Sequence, residues 1–158
     1  MNRNRLIAEV ILSNLKEQDV GLVISERVEH CHILMKMLVE LRPSMKVLLL
    51  TGKTKLPERE ASVAKANDGK VQLIIATRLA DEGLDIPRLN RLFLVTPSRA
   101  LAKVKQQLGR IMRIAADKKD AIAFDFVDHK VPLLHRQAKE RSKLYRQLEC
   151  NVDSLDRF

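Results

Sequence analysis

The strongest constraint on the fold of this chain is a series of five short apolar runs that alternate with stretches of helical spacing. Each run is largely apolar along its length rather than at every second residue, which is typical of a strand buried on both faces of a parallel sheet. The runs are VGLVIS from Val20, KVLLLT from Lys46, VQLIIAT from Val71, RLFLVT from Arg91 and AIAFDFV from Ala121.

Between the predicted strands, apolar residues recur three and four positions apart, as they do on one face of a helix. Helices are predicted over residues 3–16, 28–41, 58–66, 99–113 and 131–149. Ser98 is the predicted N-cap of the fourth helix. Strands that alternate with helices predict an α/β domain with a mostly parallel sheet and right-handed crossovers.

The length of 158 residues suits one domain with a substantial core, and no internal repeat or linker divides it. We expect a single domain over residues 1–158, with a polar tail that frays from about residue 151. Cys31 and Cys150 lie far apart without a CxxC partner, so no disulfide framework or metal site is expected and a cytoplasmic location is predicted. No apolar run of about 18 residues predicts a membrane span.

The chain is strongly basic, with 29 Lys+Arg, 20 Asp+Glu and a formal net charge of +9. Such an excess favours a polyanionic partner, of which nucleic acid is the commonest. We expect the basic residues of the last helix to form a solvated face, with contact to nucleic acid or a neighbouring domain as the alternative. These residues are Arg136, Lys139, Arg141, Lys143 and Arg146.

The segment QQLGRIMR, residues 106–113, places two arginines three positions apart. On a helix, Arg110 and Arg113 share a face with Gln106, and Gly109 allows close approach to the backbone. Because a guanidinium presents a rigid fork of donors, two forks on one face predict a phosphate clamp. The alternative is a solvated basic helix face.

The loop after the third predicted strand reads ATRLADEGLDIP, residues 76–87. Thr77 ends the strand with a hydroxyl, and Gly83 permits a tight or left-handed turn. Asp85 offers a carboxylate that could accept hydrogen bonds from a ribose. The alternative is an ordinary turn followed by an N-cap aspartate.

Together the two segments resemble motifs V and VI of superfamily 2 helicases and translocases. The usual forms are T-x-x-x-x-x-G-x-D-(I/V)-P and (H/Q)-x-x-G-R-x-x-R, and this chain meets both, in order and separated by one strand and one helix. EGLDIP with QQLGRIMR is nearer to phage- and restriction-type DEAD/DEAH-like helicases than to the RNA-unwinding DEAD-box group. The resemblance covers nearly the whole chain and implies the second RecA-like domain of such an enzyme, a three-layer α/β/α fold.

The resemblance implies roles in ATP hydrolysis for the residues that match motifs V and VI. Arg110 and Arg113 correspond to arginine fingers that meet the γ-phosphate, and Gln106 corresponds to a residue that couples the nucleotide to the catalytic water or neighbouring motifs. Gly83, Asp85 and Gly109 correspond to nucleotide contacts.

The resemblance also implies contacts with the backbone of a nucleic acid, with DNA expected in preference to RNA. Thr77 is the expected contact in motif V. Ser25 and Arg27, which follow the first predicted strand in the segment that resembles motif IV, are the others.

The sequence lacks the Walker A loop and the DExx box that such enzymes carry in their first RecA-like domain. Gly52, Lys53 and Thr54 spell the end of a Walker A motif, but the required first glycine is replaced by Val47. The resemblance therefore implies that ATP and Mg²⁺ are held mainly by a first RecA-like domain absent from this chain, and that this chain alone is inactive. The alternative is a non-catalytic basic RecA-like module that binds nucleic acid or a protein partner.

Overall fold

A five-stranded parallel sheet forms the centre of the computed structural model, which describes residues 2–77, 82–96 and 98–154. The order of the strands across the sheet is β2-β3-β1-β4-β5, so the first strand lies in the middle. The predicted α/β class and parallel sheet are confirmed. The strands are β1 (Val20–Ser25), β2 (Val47–Leu50), β3 (Leu73–Thr77), β4 (Leu89–Leu94) and β5 (Ile122–Asp125).

Five helices in the described residues cover the two faces of the sheet. They are α1 (Arg3–Asn14), α2 (Val28–Leu41), α3 (Leu56–Asn67), α4 (Leu101–Ile111) and α5 (Pro132–Gln147). Helices α1 and α2 pack with Val23 on one face, whereas α3, α4 and α5 pack with Leu22 and Ile24 on the other. Since successive strand residues point to opposite faces, β1 contributes to both cores, and the three-layer prediction is confirmed.

The three central strands are buried at every position, as the apolar runs of β1 and β3 predict; in β4 the burial also includes the polar residues Asn90 and Arg91. In the middle of β1, Val23 pairs in register with Ile75 of β3 and Phe93 of β4. Gly21 leaves room for this packing, because a Cβ atom there would lie 2.8 Å from Leu73 Cδ1 and 2.9 Å from Leu15 Cδ1.

Both ends of α4 differ from the prediction. Its N-cap is Ala100 rather than Ser98, and no side chain caps it; the Ser98 hydroxyl instead accepts a hydrogen bond from the Ala100 backbone N–H at 3.3 Å. The helix ends at Ile111, so Arg113 lies just beyond it and not on its last turn.

The predicted solvated face of α5 is wrong for one residue. Arg141 is 1% exposed, and its guanidinium donates to both carboxylate oxygens of Asp125 at 2.7 and 2.9 Å and to the carbonyl of Ser98 at 3.3 Å. The Tyr145 hydroxyl donates to Asp125 at 2.7 Å. Burial, and then the negative charge of Asp125, raise the pKa of Tyr145 well above its ordinary value. This network fastens α5 to β5 and to the segment that enters α4.

None of the helices within residues 2–77, 82–96 and 98–154 has the length and apolar composition that crossing a membrane requires. Residues 151–154 are exposed and follow α5 without regular structure. Residues 155–158 lie outside the described residues, so the fraying of the tail stays a prediction.

Replacement of Arg141 by alanine is expected to lower the free energy of unfolding by about 3–5 kcal/mol, because it leaves the Asp125 carboxylate without its buried counter-charge. Urea unfolding measures this change. Arg146→Ala, an exposed cation on the same helix, is the matched control and should change stability by about 0.5 kcal/mol or less. Equally small losses in both variants would contradict the structural role of the buried pair.

Candidate nucleotide and nucleic-acid site

The predicted nucleotide residues of motifs V and VI meet at one open cavity of about 310 Å³. The cavity lies between α4 with its C-terminal extension and the loop that precedes β4. Its lining residues are Gly83, Leu84, Asp85, Gln106, Gly109, Arg110 and Arg113. The six residues that the sequence assigned to catalysis or nucleotide binding are all among these lining residues.

The amphipathic character of α4 orients the motif VI residues toward this cavity. Val104, Leu108 and Ile111 are buried against the sheet. Gln106 lies on the other side and is exposed, whereas its neighbour Gln107 is buried. Helical spacing therefore predicts which of the two neighbouring glutamines faces the cavity: Gln106 and not Gln107.

Arg113 forms an ion pair with Asp85 across the cavity. Both side chains remain accessible, with 52% of Arg113 and 72% of Asp85 exposed. Behind this pair, the Lys118 ammonium donates to the carbonyl of Arg113 at 2.7 Å. Burial, and then the charge of Arg113, lower the pKa of Lys118. The loop and the C-terminal extension of α4 are thus joined at the mouth of the cavity.

The motif V loop is also fixed from its other side by polar contacts. Asn67 of α3 donates to the backbone carbonyl of Asp85 at 3.3 Å, and Lys103 of α4 forms a 3.2 Å ion pair with Glu82. Gly83 has φ +84°, a left-handed conformation that side chains rarely adopt. These contacts position Asp85 beside α4.

Gly109, unlike Gly83, is not required by the backbone conformation of the chain. It is exposed within α4, and a Cβ atom added there would meet nothing within 4 Å. No packing inside the described chain therefore calls for glycine. The open backbone at this point is a feature of the surface that the cavity presents.

The three residues predicted to contact nucleic acid lie at the carboxyl ends of the central strands. Ser25 and Thr77 are register partners on β1 and β3, and Arg27 is the exposed N-cap residue of α2. The Thr77 hydroxyl is buried and has no hydrogen-bond partner among the described residues. The structure brings these residues to one edge of the sheet.

Ser25 is fully buried, so its side chain has no exposed part for a polynucleotide to touch. Its hydroxyl bonds with His30 Nδ1 at 2.9 Å and Thr96 Oγ1 at 3.0 Å, and accepts from the backbone N–H of Arg27 at 3.3 Å. These bonds hold the loop that carries Arg27.

His30 was not identified from the sequence as part of this edge. Its Nε2 bonds with Asn4 Oδ1 at 3.1 Å while its Nδ1 bonds with Ser25, so it connects α1 to the end of β1. Burial, then the charges of Arg3 and Arg27, hold the pKa of His30 below its ordinary value. A single histidine between polar residues of distant segments carries no local sequence pattern, and nothing in the sequence could have marked it.

No group of three or more histidine, cysteine or carboxylate side chains in the described residues is arranged to hold a metal ion. The GKT turn is closed on itself: the Thr51 N–H donates to Thr54 Oγ1 at 2.9 Å, and the Lys53 N–H donates to Thr51 Oγ1 at 3.2 Å. It therefore resembles an ordinary turn, as the missing Walker glycine predicts.

Substitution of the two site glycines by alanine is expected to have opposite effects on folding. Gly109→Ala should raise the free energy of unfolding by roughly 0.5–1 kcal/mol, since alanine favours a helix and its Cβ meets open space. Gly83→Ala should lower it by about 1–2 kcal/mol because of the positive φ. Urea unfolding of both variants measures the difference, and a destabilised Gly109→Ala chain would contradict the open surface at α4.

Acidification is expected to destabilise the chain through His30. The pKa of His30 is lower in the folded chain, so the unfolded state binds the proton more readily. The folded state therefore has its full stability above the unfolded pKa of about 6.5. It loses stability as pH falls through that value toward the folded pKa. Unfolding free energies at about pH 7.5 and about pH 5.5 measure this loss. His30→Gln should show a smaller drop, whereas His32→Gln, at an exposed position, should keep the full drop. Equal drops in wild type and His30→Gln would contradict the assignment.

Comparison with known proteins identifies the family of this chain. A family model of the helicase conserved C-terminal domain matches residues 2–115. The chain is 38% identical over 78 residues, 49% of its length, to the protein named "Putative helicase 22" of the Sulfolobus islandicus filamentous virus (isolate Iceland/Hveragerdi). It is 29% identical over 140 residues, 88% of its length, to a chloroplast ATP-dependent DNA helicase of Arabidopsis thaliana.

The chain spans only 14% and 16% of the length of these two relatives. Among solved structures, the yeast DEAD-box splicing factor Prp28 superimposes with a TM-score of 0.72 at 24% identity, over 98% of this chain and 33% of that one. The RecA-like fold is therefore shared with helicases of known structure. With the family model matched over most of its length, this chain belongs to the helicase conserved C-terminal domain family.

Proposed function

We propose that this domain supplies one side of an ATP site in a superfamily 2 DNA or RNA motor and grips the nucleic-acid backbone at the carboxyl edge of its sheet. The observation that carries the proposal is the convergence of motif V and motif VI on one cavity. The other side of the site belongs to a first RecA-like domain with a Walker A loop and a DExx box. The names of the relatives support ATP dependence.

The residues at the cavity fit part of a nucleotide. Arg110 and Arg113 offer guanidinium forks to phosphate oxygens, Asp85 offers a carboxylate to ribose hydroxyls, and Gly109 leaves backbone open to approach. What the described residues do not offer is a nest of backbone amides at the GKT turn or a set of metal ligands. ATP and Mg²⁺ therefore fit this site only together with a second domain.

Bound ATP supplies a transferable phosphoryl group whose transfer develops charge on the phosphate oxygens. Arg110 and Arg113 place positive charge at the cavity, where it would stabilise that developing charge. Gln106, exposed on α4 at the same cavity, is proposed to couple the nucleotide to the catalytic water or to neighbouring motifs.

The ion pair between Arg113 and Asp85 keeps the finger arginine at the cavity when no phosphate is bound. Exposed pairs of this kind contribute only about 0–1 kcal/mol to stability. Exchange of the carboxylate for a phosphate therefore costs little, and each partner becomes available for its own part of the nucleotide.

The residues on either side of Arg113 support a docking domain rather than a solvated basic face. Ile114 is 98% exposed and Met112 is 56% exposed. Covering one such side chain completely contributes about 1.5–3 kcal/mol. An apolar rim around a charged residue fits a surface that another domain closes upon.

At the edge of the sheet, the exposed Arg27 is the proposed contact to the nucleic-acid backbone, and Ser25 positions the loop of Arg27 from beneath. The Thr77 hydroxyl is buried in this structure, so its proposed contact requires the edge to open when the polymer binds. Such contacts carry no sequence information, so binding should be non-specific and strongly salt dependent. DNA is the proposed polymer, since the relative aligned over 88% of this chain is named a DNA helicase. RNA helicases are also among the relatives, so both polymers belong in the binding test.

Arginine-finger function is tested by nucleic-acid-stimulated ATP hydrolysis. The chain alone should be inactive, whereas a protein that joins it to its Walker A domain should turn over ATP. In that protein Arg113→Ala should lower kcat by about 10³–10⁵ while leaving ATP binding nearly unchanged, because the charge acts on the transition state. Lys36→Ala, which removes an exposed charge from α2, is the control and should retain activity.

Normal kcat in the Arg113→Ala protein would remove the finger assignment. Hydrolysis by the chain alone would assign a phosphate-binding role to the Lys53 turn. Inactivity of both the chain and the joined protein would favour a non-catalytic binding module.

A further inference from the structure

The exposed cations of α5 form a single line along the helix. Their spacings of three, four and three residues place them within an arc of roughly 80° around the helix axis. We call this set the α5 stripe. Its members are Arg136, Lys139, Lys143 and Arg146, and all four are exposed.

The buried side of α5 fixes the direction in which the stripe points. Ala138, Arg141 and Tyr145 are buried on the opposite side of the helix. Because the guanidinium of Arg141 is held by both oxygens of Asp125, the helix cannot rotate without breaking a buried ion pair. The stripe is therefore held outward in one orientation.

The charge of the stripe is largely uncompensated. Helix α5 contains one acidic residue, Glu140, which forms an exposed 2.8 Å ion pair with Lys143. Among the described residues, the other three cations of the stripe form no ion pair. Four cations with one neighbouring carboxylate, Glu140, which interacts with both Lys143 and Arg136, keep a net positive charge and are complementary to a polyanion.

The length of the stripe matches a polymer rather than a small anion. Ten residues separate its first and last members, which corresponds to roughly 15 Å along the helix axis. This distance is about the axial rise of four nucleotides in one strand of B-form DNA.

The stripe passes the carboxyl edge of the sheet, where Arg27 and Thr77 also lie. Asp128, shortly before α5, accepts two hydrogen bonds from Arg3 at 2.8 and 3.1 Å. Arg3 also donates to the carbonyl of Val95, directly after β4, at 2.9 Å. Asp128 therefore lies at the carboxyl edge of the sheet, and so does the middle of α5, where Arg141 bonds to Asp125 at the end of β5. The stripe runs along the outer side of the helix past this edge.

We propose that the α5 stripe is a second contact surface for a phosphodiester backbone, which continues from the carboxyl edge of the sheet along α5. The identity of the polymer rests on the proposed function; the surface itself rests on the geometry of α5. The stripe lengthens the footprint of the domain on a polynucleotide and adds to affinity without sequence preference.

The test uses the 158-residue chain and fluorescently labelled oligonucleotides of about 30 nucleotides, single-stranded or as a duplex, in anisotropy titrations at several salt concentrations. The stripe variant replaces all four cations with glutamine, which removes the charge and keeps helix propensity. The control variant replaces Lys16, Lys36, Lys65 and Lys70 with glutamine, which makes the same change in net charge at exposed positions outside α5. Urea unfolding verifies that each variant folds, and Lys139→Gln with Lys143→Gln replaces the stripe variant if four changes prevent folding.

We expect the stripe variant to bind at least about tenfold more weakly. The slope of log K against log salt should fall by about 0.7 for each phosphate of a single strand that the variant no longer neutralises. The control variant should be weakened much less. Equal weakening of the two variants would overturn the proposal, because net charge alone would then explain binding. Full affinity in the stripe variant would also overturn it and would point to an acidic protein surface as the partner of α5.

Failure of this inference differs from failure of the proposed function. If the chain binds neither oligonucleotide, the edge contact and the α5 contact are both overturned, while the ATP-site part of the proposed function is decided by the hydrolysis test. If the chain binds, Arg27→Ala weakens binding and the stripe variant does not, the edge contact stands and the α5 contact alone is wrong.

Discussion

The buried ion pair between Arg141 and Asp125 is the interaction on which the arrangement of the second half of this domain depends. It joins the last helix to the last strand, and through the carbonyl of Ser98 it reaches the segment that leads into α4. A buried pair contributes little net stability compared with an apolar packing of the same volume, but it tolerates only one geometry. We infer that it sets the rotation of α5 and the entry of α4, and hence what each helix shows to solvent.

Helix α4 divides its surface between folding and function. Leu108 and Ile111 belong to the core, while Gln106 and Gly109 belong to the cavity. Arg113 lies beyond the last helical turn, where its position depends on Asp85 and Lys118 rather than on helix geometry. The site is thus rigid where the helix carries it and adjustable at the residue proposed to follow the phosphate.

The sequence predicted the layers of the fold because burial on both faces leaves a continuous apolar run, as in VGLVIS and LIIAT. It also predicted the cavity residues of α4, since the helix preserves the three-residue spacing of Gln106 and Gly109, whereas Arg113 reaches the cavity from beyond the helix end. The ends of the helices were predicted less accurately. Ser98 has the chemistry of an N-cap, but α4 begins two residues later than that assignment requires.

Residues whose role depends on a distant partner could not be assigned from local patterns. Arg141 is one of several basic residues in its segment, and only the folded chain brings Asp125 to it. Ser25 ends a strand as predicted, yet its burial follows from His30 and Thr96, which lie in other elements. The roles in ATP hydrolysis and nucleic-acid binding come from the family resemblance and remain proposals.

Gly21 and Gly109 meet different constraints, and this difference has an evolutionary consequence. The fold itself excludes a side chain at Gly21, because Leu73 and Leu15 fill the space. At Gly109 no described residue excludes a side chain, so we infer that a ligand or partner that approaches α4 is what maintains glycine there. In a lineage whose copy of this domain no longer bound that ligand or partner, substitutions would be expected early at position 109 and rarely at position 21.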